Sequence, residues 1–200
     1  GNSPLYIAKR VGKNNRPFNM IKLRSMIVNA EKSKVDSTSS NDPRITKIGN
    51  FIRKFKLDEL AQLYNVLIGE MSLVGPRPNV KRETDIYTKL EKGLLKVKPG
   101  ITDFSSIVFS DESEILKNVE DPDITYNQLI RPWKSRLGLI YIEHQSFIMD
   151  VKLIFYTVIA IISKEKALHW VAETLTRLRV DNNVIEVSKR QKPLYPFPPP

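Results

Sequence analysis

Residues 53–78 read RKFKLDELAQLYNVLIGEMSLVGPRP and combine a helical pattern with a stiff proline-rich turn. Apolar residues at helical spacing predict a helix from near Asp58 to Gly69, with an apolar face made of Leu60, Leu63, Tyr64 and Leu67. The stretch 72–78 is predicted to be extended, because proline fixes its own φ and restricts the residue before it. The segment therefore predicts a helix that leads into a rigid extended turn.

Three charged side chains of this segment are candidates for chemistry. Asp58 and Glu59 are adjacent in the predicted first turn, where successive side chains point about 100° apart, so they cannot share one proton. Acidic residues at this position also complement the helix dipole, and that purely structural role stays open. Arg77 stands between two prolines, which would hold its guanidinium on a stiff backbone suited to bidentate phosphate binding. A turn with the arginine in solvent is the alternative.

The charge balance and the residue types exclude several kinds of site. Lys and Arg number 32 against 22 Asp and Glu, which gives a net charge of +10. This surplus predicts anionic partners such as nucleic acid, an anionic membrane or phosphorylated substrates. The absence of cysteine excludes thiolate ligands and cysteine nucleophiles, and the two histidines, His144 and His169, argue against a histidine-based metal site or triad. Walker A and GxGxxG phosphate loops are missing as well.

The first 30 residues contain no acid and predict a basic β-hairpin. Residues 5–11 and 18–26 are predicted as two strands around a turn rich in Gly, Asn and Pro. A period of two places Lys22 and Arg24 together on the polar face of the second strand. Neighbouring cations on one face would favour an anion between them, but a solvated basic edge is the interpretation that the strand alone favours.

Most of the remaining chain is predicted to be helical. Helices are expected after a Thr46 cap and over 81–95, 137–163 (one helix or two) and 164–179. The most apolar run, 153–162, is too short to cross a membrane and predicts a buried core helix in preference to a helix lying in a membrane interface. The tail 193–200 is polyproline-like and predicts a linker, a ligand for a peptide-binding domain or a packed arm.

The motifs of residues 53–78 closely resemble the signature of bacterial sugar transferases, the small monotopic phosphoglycosyl transferases. Within this segment the resemblance rests on Arg53-x-x-x-Leu57-Asp58-Glu59-Leu60, Asn65-Val66-Leu67-x-Gly69-Glu70-Met71 and Gly75-Pro76-Arg77-Pro78. It extends over roughly residues 3–164 through Lys22-Leu23-Arg24, Asp42-Pro43-Arg44, Lys98-Pro99-Gly100-Ile101-Thr102 and Tyr141-x-x-x-x-Ser146-x-x-x-Asp150. Residues 103–108 depart from the common family pattern, so the sugar is left open.

The resemblance implies an enzyme that transfers a sugar 1-phosphate from a UDP-sugar to a polyprenyl phosphate. UMP would be released through a covalent aspartyl-phosphosugar intermediate, as the first membrane step of surface glycan synthesis. In this interpretation Asp58 is the nucleophile and Glu59 helps to hold Mg²⁺ or orient the phosphate, so both residues are expected to be catalytic and metal-binding. Arg77 matches the family arginine that clamps a phosphate. Weaker phosphate-binding candidates are Arg10, Lys22, Arg24 and Arg53.

The resemblance also implies a location and an architecture. The expected partners are the UDP-sugar, the polyprenyl phosphate and the anionic surface at the cytoplasmic face of the bacterial inner membrane, without nucleic acid; a homo-oligomer is left open. We expect one helix-rich α+β domain with a short basic β-hairpin and amphipathic helices at the membrane interface. Residues 1–164 would form the catalytic domain, and 165–200 a C-terminal helix with the proline-rich tail. A hydrophobic membrane segment is expected ahead of Ser3, which would make these 200 residues a truncated form.

Two other functions are open at this point. A catalytically silent relative could act as a membrane-surface scaffold for a glycan assembly complex. A basic nucleic-acid-binding protein would also fit the net charge. The sequence lacks an aromatic-rich stacking motif, however, and nucleic-acid binding does not explain the rigid Gly-Pro-Arg-Pro turn.

Overall fold

The computed structural model, which describes residues 3–30 and 37–200, is built mainly from helices and two pairs of short strands. The strands are β1 (Leu5–Val11), β2 (Pro17–Leu23), β3 (Ser72–Val74) and β4 (Gly100–Thr102). The α-helices are α1 (Lys47–Lys54), α2 (Leu63–Leu67), α3 (Lys81–Asp85), α4 (Phe104–Val108), α5 (Glu112–Ile115), α6 (Pro122–Thr125), α7 (Arg131–Glu143), α8 (Phe147–Ile162), α9 (Lys164–Arg177) and α10 (Asn182–Lys189). Shorter 3₁₀ segments cover Lys13–Asn15, Leu57–Gln62 and Glu91–Lys96, and a π-helical turn covers Tyr126–Ile130. The expected helix-rich α+β fold with a short basic hairpin is confirmed.

The N-terminal hairpin forms as predicted, but its buried face is not the predicted one. β1 and β2 are antiparallel, with Leu5 opposite Leu23, and β2 ends at Leu23 rather than at residue 26. Phe18 and Met20 lie on the same face as Lys22, and both are buried. The interpretation of this face as a solvated basic edge is therefore wrong, because the face packs against the rest of the molecule and carries Lys22 inward with it.

The helix predicted over 81–95 is broken into two pieces. α3 ends at Asp85, and a separate 3₁₀ segment begins at Glu91. Between them Thr88 and Glu91 form a reciprocal capping box: the Thr88 hydroxyl accepts from the Glu91 amide, and the Glu91 carboxylate accepts from the Thr88 amide, both at 3.0 Å. Glu91 is also fully buried and ion-paired with Arg131 at 2.6 Å, so the second piece is fixed to α7.

The main hydrophobic core lies among the C-terminal helices. Residues 137–163 form two helices, α7 and α8, while α10 was not predicted. The core side chains with the largest volume that are fully buried include Trp133, Phe104, Leu137 and Leu153. The proline-rich tail is a packed arm, since Phe197 stacks on Trp133 with ring centroids 4.4 Å apart. Of the three alternatives for the tail, the structure therefore selects the packed arm.

The apolar run 153–162 does not form a buried core helix. It lies in α8, where Leu153 is buried but Phe155, Val158 and Ile162 are exposed. The expectation of a core helix is therefore wrong, because only one face of α8 contacts the core. Within the described ranges, no helix combines the length and the apolar character that crossing a membrane requires.

Candidate functional site

A buried amide fixes the helix that carries Asp58 and Glu59. These acids lie in the 3₁₀ helix Leu57–Gln62, rather than in the first turn of an α-helix, and the segment begins one residue before Asp58. Asn65, which follows at the start of α2, accepts from the Ile21 amide at 3.0 Å and donates to the Asn19 carbonyl at 2.8 Å. Asn65 thus makes the hydrogen bonds that a neighbouring strand would otherwise make with this edge of β2. It therefore holds the segment that carries Asp58 and Glu59 against the strand that carries Lys22.

Cations surround the two acids closely. Asp58 is only 7% exposed, and the Lys22 ammonium lies 3.9 Å from its carboxylate. The Arg77 guanidinium donates to the Glu59 carboxylate at 2.5 Å. Burial opposes ionisation of Glu59, but the charges of Arg77, Lys56 and Lys22 outweigh burial and lower the pKa of Glu59 to about 2. Glu59 is therefore a permanent anion that holds Arg77 in place.

Lys22 is held in an environment that disfavours its charge. Burial, followed by the neighbouring positive charge of Arg77, lowers the pKa of Lys22 to about 8. The acids Glu59 and Asp58 act in the opposite direction but do not compensate fully. An anionic ligand close to Lys22 would restore the balance, so the site is electrostatically prepared for a phosphate.

Two glycines allow the backbone approach that fixes Arg77. β3 and β4 are parallel, and the Gly75 amide donates to the Thr102 carbonyl at 2.9 Å while the Gly100 amide donates to the Pro76 carbonyl at 3.0 Å. A Cβ atom on Gly100 would lie 2.1 Å from the Gly75 nitrogen, a distance that no side chain tolerates. The stiff support predicted for Arg77 is therefore reinforced by a backbone contact that the prolines alone do not supply.

All seven predicted site residues line a single cleft with a cavity volume of about 410 Å³: Arg10, Lys22, Arg24, Arg53, Asp58, Glu59 and Arg77. Their availability differs. Arg24 uses two of its donor groups on the Ser3 and Leu5 carbonyls, at 2.8 and 3.0 Å, and so ties the open end of the hairpin. Arg53 donates to the Ser25 hydroxyl at 2.9 Å.

Several further lining residues were not predicted as site residues. Lys56 immediately precedes the 3₁₀ helix in the left-handed conformation, with φ of 56°, and its charge acts on Glu59. Its position two residues before Asp58 in a basic run was the signal available for it. Glu112 and Lys134 also line the cleft and form an ion pair at 2.5 Å. They come from separate segments without a recognisable motif, so local sequence carried no signal for them.

The carboxylates suit a metal that arrives with its ligand. The described residues contain no group of three or more His, Asp or Glu side chains that could hold a metal ion by themselves. Mg²⁺ normally keeps several waters and binds through one or two carboxylates together with substrate phosphates. The donor set of Asp58 and Glu59 fits that mode of binding, whereas an all-protein metal cage does not fit.

The geometry is suited to chemistry on a phosphate group. A carboxylate at the cleft surface can act as a nucleophile towards phosphorus, provided that cations offset the repulsion between two anions. Phosphoryl transfer depends mainly on positioning and charge neutralisation, and the cleft supplies both through Arg77, Lys22 and Lys56.

Comparison with known proteins gives consistent matches. A family model described as bacterial sugar transferase matches residues 1–164. The UDP-glucose:undecaprenyl-phosphate glucose-1-phosphate transferase of Escherichia coli (strain K12) is 38% identical over 153 residues, which are 74% of this chain and 30% of that relative. The galactosyl transferase CpsE of Streptococcus agalactiae serotype III (strain NEM316) is 39% identical over 168 residues, 78% of this chain and 34% of the relative.

A third relative carries a different sugar in its name. The UDP-N-acetylgalactosamine-undecaprenyl-phosphate N-acetylgalactosaminephosphotransferase of Aeromonas hydrophila is 32% identical over 162 residues, which are 80% of this chain and 35% of that relative. The chain thus spans about a third of the length of these relatives. Their names specify different sugars, so similarity alone does not identify the sugar for this chain.

Proposed function

Because the chain belongs to the bacterial sugar transferase family, we propose that it transfers a sugar 1-phosphate from a UDP-sugar to a polyprenyl phosphate. The resemblance that residues 53–78 carry is confirmed by this membership. The observation that carries the proposal is the adjacent pair of buried Asp58 and half-buried Glu59 at a cleft lined by basic side chains, with Arg77 bonded to Glu59. This transfer would be the first membrane step of surface glycan synthesis.

The proposed reaction is a double displacement at one phosphorus atom. An oxygen of the Asp58 carboxylate attacks the phosphorus that carries the sugar, the bond from this phosphorus to the bridging oxygen breaks, and UMP leaves with the electron pair. The phosphosugar is then esterified to Asp58. An oxygen of the polyprenyl phosphate attacks the same phosphorus, the ester bond to Asp58 breaks, and the carboxylate is restored.

The neighbouring side chains would each have a distinct part. Arg77, oriented by Glu59, clamps a phosphate through its planar fork. Lys22 and Lys56 offset the repulsion between the Asp58 carboxylate and the diphosphate, while Arg10, Arg53 and Arg24 extend the positive field along the cleft. Mg²⁺, bound by Asp58 and Glu59 together with the diphosphate, would supply further charge neutralisation.

We place the reaction at the cytoplasmic face of the bacterial inner membrane. Two exposed apolar surfaces support membrane attachment. One is on α8, where Phe147 is 82% and Ile162 is 79% exposed, and the other is on α1 and α2, where Ile48 is 73% and Leu67 is 84% exposed. Exposed apolar surfaces combined with a strongly basic cleft are typical of proteins that lie in the interface of an anionic bilayer. A lipid phosphate would reach the cleft from such a position.

The proposed catalytic domain comprises residues 1–164, with residues 165–200 as a C-terminal addition. This addition is not a free appendage, because α9 contributes the buried side chains Val171 and Leu175 to the main core. We therefore propose that it supports the catalytic part by packing.

Replacement of Asp58 tests the proposal directly. The chain, in bacterial membranes that contain polyprenyl phosphate, would release UMP from a UDP-sugar and transfer radiolabel into organic-extractable lipid. In the Asp58→Asn variant kcat/KM should fall by about 10³-fold or more, because the amide cannot form the phosphate ester. Asp85→Asn is the matched control, since Asp85 is exposed and forms an ion pair with Lys81 on its own helix.

The outcomes separate the alternatives. Intact-mass measurement of the wild type with UDP-sugar and no lipid acceptor should show a phosphosugar adduct that Asp58→Asn lacks. Full activity of Asp58→Asn would contradict the mechanism. A folded wild type that forms no lipid product would favour the scaffold, and salt-sensitive DNA binding without lipid product would favour a nucleic-acid-binding protein.

A further inference from the structure

The cleft has a second group of lining residues, whose chemistry differs from that of the phosphate clamp formed by Arg77, Lys22 and Lys56. They come from α4, the loop that follows it, α5, the π-helical turn and α7, and are Ser106, Ser110, Glu112, Tyr126 and Lys134. Together these residues offer hydroxyl groups, one carboxylate, one ammonium and an aromatic ring. We refer to these five residues as the polar wall.

The polar wall contains an ion pair with little net charge. The Lys134 ammonium lies 2.5 Å from the Glu112 carboxylate and 5.5 Å from the centre of the Tyr126 ring. The side chains of Lys134 and Glu112 are 14% and 31% exposed, so both are sheltered but reachable from the cleft. Burial opposes ionisation of Glu112, but the charge of Lys134 outweighs burial and lowers the pKa of Glu112.

Such a pair suits a neutral ligand that has hydroxyl groups. A carboxylate accepts hydrogen bonds from hydroxyls, and an ammonium donates to hydroxyl oxygens, so one pair can satisfy both directions. Ser106 adds acceptor capacity, because its hydroxyl proton is already donated to Asp103 at 2.8 Å. A phosphate, by contrast, would be repelled by Glu112.

The polar wall lies near the residues that would hold the reacting phosphate. The charges of Arg77 and Lys56 act on Glu112, and the charge of Glu112 acts in turn on Arg77. In the proposed reaction the phosphorus attacked by Asp58 carries the sugar, so the sugar must be next to this position. The ribose is attached through the second phosphate, which belongs to the leaving group, and therefore lies further from Asp58.

We propose that Glu112 and Lys134 bind hydroxyl groups of the transferred sugar and thereby contribute to the choice of the sugar. This inference rests on the proposed function and deepens it, because it assigns the sugar-binding part of the same cleft. Ser106 and Ser110 would supply secondary contacts to the same ring. In this arrangement the phosphate clamp would bind the diphosphate, and the polar wall would bind the hydroxyl groups of the sugar.

The polar wall is anchored by Lys164, the last residue that the family model matches, and by Arg190, which lies beyond it. Asp111, adjacent to Glu112, pairs with Lys164 at 2.5 Å and with Arg190 at 3.3 Å. The Arg190 guanidinium also lies 5.4 Å from the centre of the Phe109 ring, which lines the cleft. These contacts hold the segment on which Glu112 stands, as a binding group requires if it is to discriminate between similar ligands.

The test compares sugar selectivity with nucleotide affinity. The full chain, in membranes containing polyprenyl phosphate, is assayed for UMP release from UDP-glucose, UDP-galactose, UDP-N-acetylglucosamine and UDP-N-acetylgalactosamine. In Glu112→Gln we expect the ratio of kcat/KM between the best and the second-best sugar to change by about tenfold or more. The inhibition constant of UMP should change by less than about twofold, because UMP lacks the transferred sugar.

A neighbouring residue provides the matched control. Glu114 lies on the same short helix, α5, but pairs with Lys117 and is exposed. Glu114→Gln should therefore leave the selectivity ratio unchanged. Lys134→Met should also change the selectivity ratio. Ser110→Ala should change the ratio by a smaller amount, and this variant tests the inference if either charged variant fails to fold.

Each outcome decides the inference. Unchanged sugar ratios in folded Glu112→Gln and Ser110→Ala would overturn it, and a parallel loss of UMP affinity would overturn it in favour of ribose binding. If the folded wild type releases UMP from none of the four nucleotides, the inference fails together with the proposed function. Activity in the wild type combined with unaltered selectivity in the variants would contradict the inference alone.

Discussion

The N-terminal half of the chain, residues 3–102, and the C-terminal half, residues 103–200, are held together in different ways. Among the described residues, the hydrophobic cluster under the hairpin has four buried members, Ala8, Phe18, Met20 and Met71. The C-terminal half contributes nearly all of a much larger cluster, centred on Trp133, Phe104 and Leu137. In the N-terminal half, buried polar residues take the place of a large core. These include Asp58, Gln62 and Asn65.

This difference indicates that the C-terminal half mainly stabilises the fold, whereas the N-terminal half carries the candidate phosphate-binding residues. The positive charge of Lys22, which is sheltered from water and lies near Arg77, costs stability in the free protein, and an anionic ligand would offset this cost. The large C-terminal core can compensate for the cost, because it stabilises the fold without contributing charge. We expect substitutions in the cleft to affect activity more than stability, and substitutions in the core to do the reverse.

After replacement of the nucleophile Asp58, the largest effect is expected for Arg77. In Arg77→Met, kcat/KM for UMP release should fall by about 10³-fold, because a fixed, bidentate donor to the reacting phosphate is lost. Arg77→Lys should recover only a small part of the activity, since an ammonium cannot reproduce the planar fork. Arg177→Met is the control, because Arg177 is exposed on α9 and forms an ion pair with Glu173 on the same helix. Comparable activity of Arg77→Lys and the wild type would contradict bidentate binding of the phosphate by Arg77.

Core substitutions should reverse this pattern. Leu137→Ala should lower the free energy of unfolding by about 4 kcal/mol, because Leu137 is fully buried in a tightly packed region that cannot collapse around a cavity. Met20→Ala should cost about 2 kcal/mol, since the small cluster under the hairpin borders the cleft and can relax. Urea unfolding of both variants provides the measurement. Equal losses would show that the two halves are not packed differently.

Lys22 provides a test in which activity and stability move in opposite directions with pH. Lys22 carries its charge below its pKa of about 8 and loses the charge as pH rises through that value. We therefore expect kcat/KM to fall by about tenfold between pH 7 and pH 9. Lys22→Arg should lack this fall, because arginine stays charged. A wild-type profile identical to that of Lys22→Arg would contradict the assignment.

The stability contribution of Lys22 has the opposite sign. Its folded pKa of about 8 lies below the ordinary value of 10.5, so the unfolded chain binds more protons between these two values. The contribution to the free energy of unfolding therefore rises with pH across this window. Urea unfolding of the wild type and Lys22→Met at pH 7 and pH 10 measures it. Lys22→Met should be the more stable of the two at pH 7, and the difference should shrink at pH 10.

The parts of the fold that could be predicted depend on neighbouring residues in the chain. The cap at Thr46, whose hydroxyl accepts from the Gly49 amide at 2.9 Å, is a local signal, and so is the end of a helix at Gly69, which has φ of +82°. The capping box of Thr88 and Glu91 is equally local, but the helical pattern over 81–95 predicts one continuous helix across it. Glu91 also forms an ion pair with Arg131, and local sequence carries no signal for that second contact.

The candidate site divides in the same way. The predicted cleft residues follow from a contiguous motif and from the basic hairpin, and the structure brings them together. Asn65, by contrast, bonds to β2 across more than forty residues, and Glu112 meets Lys134 from a distant helix. Contacts of this kind depend on the tertiary arrangement. The sequence alone could not reveal them, and the buried orientation of Lys22 was missed for the same reason.

The smallest effect is expected for the tail, and it tests whether packing in the C-terminal core is separable from activity in the cleft. In Phe197→Ala the ring that stacks on Trp133 at 4.4 Å and lies 4.7 Å from the Arg136 guanidinium is removed. We expect a loss of about 1–2 kcal/mol in the free energy of unfolding, because part of the ring is exposed, and no change in kcat/KM. Phe197→Leu should lose about half as much. A fall in kcat/KM approaching that of Arg77→Met would show instead that the tail helps to shape the cleft, because the packing of α7 would then be transmitted to Lys134 on the same helix.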